Sequence, residues 1–150
     1  MNGKKRLIPI VVMVTLVLLG LSAIGAYVLF DNLFPKAEPV KCPDIEKITI
    51  ISITQDNGNS VLVETADYGE LLQNICKTEP TRMLSVNEIP SVEYDYIIEM
   101  ETFKREYRYF LYVEDEQVYI ESPYEGVYKS NQEFLDWVTA HFKEQHTLIE

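Results

Sequence analysis

Histidine and cysteine have chemistry that is easy to recognise from residue spacing, and this chain contains only two of each. His141 and His146 are five positions apart, which places them roughly 140° apart around a helix. Zinc-binding histidines on a helix are spaced by four, so that both rings lie on one face. No H-E-x-x-H, C-x-x-C or calcium-loop pattern occurs. The sequence therefore predicts no metal site and no cofactor, and it favours His141 as a partly buried helix residue.

Motifs of hydrolytic catalysis are also missing from the sequence. It contains no G-x-S-x-G nucleophile turn, no S-x-x-K pair and no glycine-rich phosphate loop. The 24 acidic residues are too numerous for any one pair to indicate catalysis, and the acidic run Glu114–Glu116 matches no dedicated calcium loop. We therefore expect no catalytic residues and no enzymatic activity. A cell-wall hydrolase is kept as a disfavoured alternative.

Tyrosine is concentrated in one part of the chain, since eight of the ten tyrosines lie between residues 94 and 128. This side chain combines an apolar face with a polar tip, which suits both half-buried sheets and recognition surfaces. Two interpretations of the stretch Tyr119–Lys129 are open. It is an aromatic loop that grips an extended peptide or a glycan, or it is a packed turn that orients the next helix. The candidate binding residues are Tyr119, Pro123, Tyr124, Gly126 and Tyr128.

The packed turn is the favoured interpretation for Tyr128 and for Gly126, which we expect in a backbone conformation that glycine tolerates best. Tyr124 is left as the candidate contact. Because Glu121 and Glu125 flank Tyr124, a cationic peptide matches this loop better than an acidic one.

The two cysteines, Cys42 and Cys76, leave two alternatives open. In an oxidising compartment they form a disulfide, whose loop would contribute about 3–4 kcal/mol in the chain-entropy model. Otherwise Cys76 is a buried thiol and Cys42 is free. The free pair is favoured, because a sequence does not show that two Cβ atoms meet.

Charge divides the chain into two parts. Residues 1–30 contain three basic residues and no acidic residue, whereas residues 31–150 contain 10 basic and all 24 acidic residues. This excess of negative charge excludes a nucleic-acid-binding protein that works through a basic face.

The segment from Leu7 to Phe30 is an uncharged stretch of 24 residues. As a helix it measures about 36 Å, enough to cross a hydrocarbon core of about 30 Å. A cleaved signal peptide is the alternative, because small residues occur from Ser22 to Ala26, but the apolar stretch continues past them. The basic tail, residues 1–6, predicts a cytoplasmic N-terminus. We therefore expect a single-pass protein of the cell membrane with an extracellular domain.

Prolines at 35, 39 and 43 predict that residues 31–44 form an extended stalk. The remaining residues, 45–150, have the size of one domain. Their hydrophobic patterns predict the order ββαβββα, including strands over 92–100, 106–113 and 117–121. A capping box at Ser130 opens the last helix, whose predicted apolar stripe consists of Phe134, Trp137, Val138, His141 and Phe142. This order indicates an α+β fold, a small antiparallel sheet with two helices packed on one face.

Two stretches, SVNEIP at Ser85–Pro90 and YIESPYEGVYK at Tyr119–Lys129, resemble an uncharacterised family of Gram-positive extracytoplasmic domains, numbered 5301 among the domains of unknown function. The resemblance covers about residues 45–135. It implies an N-terminal membrane segment or lipoprotein signal and one domain, with no assigned activity and so no catalytic residues. Three positions differ from the residue expected in this family. Glu88 stands where Asp is usual, and Ser122 and Glu125 stand where Gln is expected.

These features together predict a non-catalytic binding or accessory module held at the membrane. Its expected partner is an extracytoplasmic peptide, glycan or protein, and not a nucleic acid. A subunit of a membrane transport or signalling complex is the alternative, because the small residues Ser22 and Ala26 are spaced for helix association.

Overall fold

The computed structural model describes the backbone of residues 3–147 and the side chains of residues 11–145 and 147. It consists of two units, the first ending at Pro35 and the second beginning at Lys36. The first unit is helical and the second contains a seven-stranded antiparallel sheet with further helices, which confirms the predicted α+β class.

Helix α1 spans Gly3–Leu33 and is longer at both ends than the predicted 7–30. Its segment Val11–Leu33 is long and apolar enough to cross a membrane, a test that signal sequences also pass. The polar side chains within it are satisfied locally, since Thr15 and Ser22 each donate a hydrogen bond to the carbonyl four residues earlier. Such internal bonds are what an apolar environment requires of a polar side chain.

The sheet of the second unit has seven strands, β1 (Ile48–Gln55), β2 (Ser60–Leu62), β3 (Glu79–Pro80), β4 (Tyr96–Thr102), β5 (Glu106–Glu114), β6 (Gln117–Ser122) and β7 (Gly126–Lys129). Their spatial order is β2-β1-β4-β5-β6-β7-β3, and every neighbouring pair is antiparallel. Two helices accompany the sheet, α2 (Tyr68–Cys76) and α3 (Gln132–Thr147). The strands β3 and β7 are additional to the predicted order.

Short turns join the central strands. Asp115 and Glu116 connect β5 to β6, and both have positive φ, at 49° and 63°. A two-residue hairpin turn with left-handed residues matches the right-handed twist of the flanking strands. This turn belongs to the acidic run Glu114–Glu116, which matches no dedicated calcium loop. Among the described side chains, those of residues 11–145 and 147, no group of three or more His, Cys, Asp or Glu is placed to hold a metal ion.

One face of the sheet forms the hydrophobic core with both helices, as predicted. Ile51 on β1 lies opposite Met100 on β4, and Ile98 lies opposite Tyr109 on β5. All four side chains are buried. The helices cover this face with the apolar residues Leu71, Ile75, Phe134, Val138 and Phe142. The spacing of these residues along the helices is the periodicity from which the helices were predicted.

The start and the apolar stripe of α3 differ in detail from the prediction. The Oδ1 atom of Asn131, not the side chain of Ser130, accepts the capping hydrogen bond from the Phe134 N–H, at 2.9 Å. Trp137 and His141 are only partly buried at the margin of the core. Asparagine is as good an N-cap as serine, so the sequence located the helix start to within one residue.

The second face of the sheet is covered in part by residues 81–95. The ring of Tyr94 lies 5.0 Å from the ring of Phe110, centroid to centroid, and Phe110 is buried. Ser85 donates a hydrogen bond to Glu121 on the same face, at 2.7 Å. The strand predicted over 92–100 therefore begins only at Tyr96, because the preceding residues cross this face instead of extending the ladder.

Residues 36–44, here called the strap, pack on the domain, and this contradicts the predicted stalk. Ala37 donates its backbone N–H to the Thr81 carbonyl at 2.8 Å, and the Tyr109 hydroxyl donates to the Lys41 carbonyl at 2.9 Å. Val40 packs against the core. Proline excludes regular ladder pairing, but it does not prevent an extended segment from docking through single hydrogen bonds and apolar contacts.

The strap is also joined covalently to α2, because Cys42 and Cys76 form a disulfide. The favoured interpretation of two free thiols was therefore wrong. Their Cα atoms are 6.0 Å apart, within the usual range for a bridge. This proximity depends on the docking of the strap, which the sequence pattern did not predict.

Candidate functional site

The five candidate binding residues lie on one hairpin, β6–β7, but they do not form one surface. Tyr128 is 1% exposed on the core face. Tyr119 is half-buried on the second face, where its ring lies 5.7 Å from the ring of Tyr112. Pro123 is partly buried in the turn, and Tyr124 beside it is 68% exposed. Tyr124 therefore remains the contact candidate among the five.

Tyr124 has a left-handed backbone with φ at 62°, an uncommon conformation for a residue other than glycine. Its N–H donates to Ser85 Oγ at 3.2 Å, and Ser85 Oγ donates to Glu121 Oε1 at 2.7 Å. The next residue, Glu125, donates its N–H to the Ser122 carbonyl at 3.0 Å. The turn is thus fixed from two sides, and it holds an aromatic ring in solvent on a constrained backbone.

Glu125 is the centre of a charged network at the base of this turn. Its Oε1 accepts from Arg105 Nη2 at 2.8 Å and lies 3.5 Å from Lys41 Nζ, while its Oε2 accepts from Ser122 Oγ at 3.1 Å. Partial burial acts to raise the pKa of this carboxyl, but the hydrogen bonds and the two cations outweigh it and the pKa lies below its usual value. Glu125 is therefore an ionised, paired group.

The charge argument for a cationic peptide fails in this geometry. Glu121 is only 7% exposed and accepts the Ser85 hydrogen bond, and Glu125 is paired with Arg105 and Lys41. The carboxylate of Glu121 is thus buried and that of Glu125 is paired, so neither presents an exposed, unpaired charge beside Tyr124.

A cleft of about 270 Å³ opens on one side of Tyr124, between the β6–β7 turn and the start of β5. Arg108 lies in it and is bonded through Nε to Glu99 at 2.9 Å and through Nη2 to Glu106 at 3.1 Å. Arg105 stacks over the ring of Tyr107, 4.4 Å from its centroid. The other lining residues are Glu88, Ser122 and Pro123. The cleft therefore combines aromatic rings with two arginines that are each paired with glutamate.

A second, smaller cleft of about 180 Å³ lies on another side of Tyr124. It is formed by strap residues Glu38, Pro39 and Lys41 together with Glu125 and Tyr128. Tyr124 thus lines both clefts. The sequence did not predict the second cleft, because it exists only when the strap is docked.

Comparison with known proteins identifies the domain. The model of the family DUF5301, described as "Domain of unknown function (DUF5300)", matches residues 36–129. The chain belongs to this family. No curated protein matches it. A solved structure described as "NMR structure of the protein from Ruminococcus gnavus" is similar at a TM-score of 0.54 and 25% identity, covering 63% of this chain and 97% of that chain.

The DUF5301 match supports the revised domain boundary. It begins at residue 36, where the strap begins, and ends at residue 129, the last residue of β7. The resemblance inferred from the sequence covered about residues 45–135 and therefore did not include the strap. Ser122 and Glu125, two of the positions expected from the sequence to differ from other members of DUF5301, are hydrogen-bonded to each other at the base of the candidate site.

Another cleft in the DUF5301 domain, of about 440 Å³, is lined in part by the acidic residues Asp56, Glu93, Asp95 and Asp136. Burial and the nearby charge of Asp56 raise the pKa of Asp95. A group of carboxylates on an open surface is usually a solvated face, and no other contact indicates a ligand here.

His141 has a structural environment. Its ring stacks on Trp137 at 3.7 Å, its Nδ1 lies 3.2 Å from the Trp137 carbonyl oxygen and its Nε2 lies 3.4 Å from Asp67 Oδ2. These contacts agree with its interpretation as a partly buried helix residue. The side chain of His146, the other member of the rejected metal pair, lies outside the described residues.

Gly126 is required by the approach of the strap. A Cβ atom at this position would lie 2.5 Å from the Cβ of Ala37 and 3.5 Å from the hydroxyl oxygen of Tyr128. The close contact with Ala37, more than the φ of 158°, excludes a side chain here.

Replacing Gly126 by alanine should lower the free energy of unfolding by about 1–3 kcal/mol, because the new methyl group displaces the strap. The measurement is urea unfolding followed by the fluorescence of Trp137, the single tryptophan. Ala37→Gly in the same chain should recover most of the loss, since it removes the atom that the methyl group meets. A double variant as unstable as Gly126→Ala alone would show that the contact is not the cause.

Proposed function

We propose that this chain is a membrane-anchored protein whose DUF5301 domain lies outside the cell and serves as a non-catalytic binding or accessory module. The observation that carries the binding role is Tyr124, a 68% exposed aromatic ring on a left-handed backbone fixed by Ser85. A strained and constrained residue at the edge of a cleft is typical of a recognition site. Aromatic side chains in such places supply much of the contact energy of binding.

Two independent features support the membrane anchor and the external location. Helix α1 is long and apolar enough to span a bilayer, and Lys4, Lys5 and Arg6 precede its apolar segment, which favours a cytoplasmic N-terminus. The bridge between Cys42 and Cys76 is of the kind that persists in oxidising compartments.

The topology is tested by treating protoplasts of a host that expresses the full chain with a protease. We expect release of a fragment that begins at residues 34–36, since the strap that follows is docked and bridged to α2. A secreted protein beginning near Ala26 or Tyr27 would overturn the anchor. A fragment that forms only after lysis would overturn the external location.

The binding role is tested with a photoreactive phenylalanine analogue at position 124, illuminated in intact cells. Covalent adducts of the full chain are expected from position 124. The matched control is the same analogue at position 103, because Phe103 is an aromatic residue that is 89% exposed and does not line either cleft at Tyr124. Adducts from both positions at equal yield, or from neither, would contradict a specific contact at Tyr124.

A subunit of a membrane complex is the second candidate, and one observation favours it. The segment that covers the second face of the sheet exposes the large apolar residues Leu84, Val86 and Ile89. Exposed apolar side chains that are this close in sequence are typical of a protein contact. Leu84→Ser together with Val86→Ser should then reduce co-purification of membrane proteins with the full chain, while Tyr124→Ala should not.

A further inference from the structure

Both cations of the cleft beside Tyr124 are paired within the domain. Arg105 is bonded to Glu125 at 2.8 Å, and Arg108 is bonded to Glu99 at 2.9 Å and to Glu106 at 3.1 Å. A strongly anionic ligand would have to displace a glutamate from one of these arginines and leave it without its counter-charge. The pairing of both arginines therefore disfavours an anionic ligand and leaves hydrogen bonding as the main polar interaction that the cleft offers.

The same groups retain hydrogen-bonding capacity. A guanidinium has five N–H donors and a carboxylate has about four acceptor positions, and each pair uses only part of them. Arg108 and Glu106 are thus able to donate to and accept from a hydroxyl group without losing their own bond. An uncharged ligand rich in hydroxyl groups uses both capacities.

The exposed ring of Tyr124 supplies the apolar part of the site. Its backbone is fixed by Ser85, so presenting the ring costs little conformational entropy on binding. The face of an aromatic ring is electron-rich and attracts weakly positive C–H groups. A pyranose ring has a face of C–H groups and a perimeter of hydroxyl groups. The C–H face matches the ring of Tyr124, and the hydroxyl groups match the hydrogen-bonding groups of Arg108 and Glu106.

The two neighbouring clefts at Tyr124 offer room for more than one sugar unit. The first cleft measures about 270 Å³. A second cleft of about 180 Å³ borders Tyr124 as well. A chain of sugar units that crosses Tyr124 is able to place neighbouring units in the two clefts.

We infer that the two clefts at Tyr124 form a binding site for a neutral glycan, in which one sugar ring packs on Tyr124 and the adjoining unit bonds to Arg108 and Glu106. The inference rests on the proposed binding function and names the partner class of the same site. It replaces the cationic peptide, whose partner charges on Glu121 and Glu125 are buried or paired.

The test uses the full chain, purified in a detergent without a sugar headgroup, on an array of neutral oligosaccharides. We expect binding to at least one oligosaccharide class, with affinity that changes less than about twofold between roughly 50 and 500 mM NaCl, because a neutral ligand is not screened. Tyr124→Ala should weaken binding about tenfold, the loss of a stacked ring contact. Tyr124→Phe should bind like the wild type, because it keeps the ring face.

Phe103→Ala is the matched control, since it removes an exposed aromatic ring outside the site and should leave glycan binding unchanged. All variants are first shown to be folded by the urea midpoint. A folded wild-type chain that binds no oligosaccharide on the array would overturn the inference, as would equal binding by Tyr124→Ala. Salt-sensitive binding of hexalysine or hexaglutamate at Tyr124 would overturn it in favour of a peptide.

The two proposals fail in different ways. Photo-adducts at position 124 whose captured partner is a protein, together with an empty array, leave the binding function in place and reject the glycan. Adducts whose captured partner is a glycan, recognised by its cleavage with periodate, support both. No adduct from position 124, together with an empty array, rejects both.

Discussion

Replacing Cys42 and Cys76 together by serine should lower the free energy of unfolding by about 3–4 kcal/mol. The two residues are 34 positions apart, and a bridge across a loop of that length removes this much conformational freedom from the unfolded chain in the entropy model. The measurement is urea unfolding of the full chain in detergent micelles, followed by the fluorescence of Trp137. Addition of a reductant to the wild type should give the same loss.

The effect of the disulfide should extend to the site, because the bridge holds the strap. Without it, the strap is held by contacts such as those of Ala37 with Thr81 and of Lys41 with Tyr109. Since the strap forms one wall of the smaller cleft, glycan affinity should fall in the double serine variant even where the domain remains folded. Identical unfolding curves with and without reductant would contradict a stabilising role for the bridge.

Phe134→Ala should have the other large effect, a loss of about 3–5 kcal/mol, because the ring is 1% exposed in the core between α3 and the sheet. Trp137→Ala should cost less than half as much, although tryptophan is the larger residue, because Trp137 is only partly buried. The pair is compared by circular dichroism during urea unfolding, since Trp137→Ala removes the fluorescent reporter.

The order of these two losses discriminates between two placements of α3. Sequence periodicity alone places Trp137 in the core-facing apolar stripe and predicts a loss of about 3–5 kcal/mol there. A loss at Trp137 equal to that at Phe134 would show that the helix is rotated relative to the described packing.

Periodicity predicted the elements in which local spacing and burial coincide. Helix α2 begins directly after Asp67, and its buried residues Leu71 and Ile75 are spaced as a core-facing stripe requires. The strands β5 and β6 were located to within a residue or two, because each is long enough for its pattern to be recognised. The fold class follows from these elements.

The features that were missed depend on contacts between distant residues. Strand β7 has only four residues and directly follows a turn with proline, so its pairing with β6 was not visible in the sequence. The strap contains the prolines of an extended stalk, yet it docks through Ala37 and Lys41 on residues far along the chain. The same holds for the site. The concentration of tyrosines indicated the region, but only the register of β6 with β7 buries Tyr128 and leaves Tyr124 exposed.

Both margins of the sheet consist of very short strands, three residues in β2 and two in β3. An unpaired edge is where one sheet recruits the backbone of another, and a short edge offers few free N–H and C=O groups for this. If the chain is anchored as proposed, its copies meet at high local concentration on one bilayer, a condition that promotes such cross-pairing in proteins with long edges. In this domain the long strands are interior, so crowding at a surface should leave it soluble and free of fibrous aggregates.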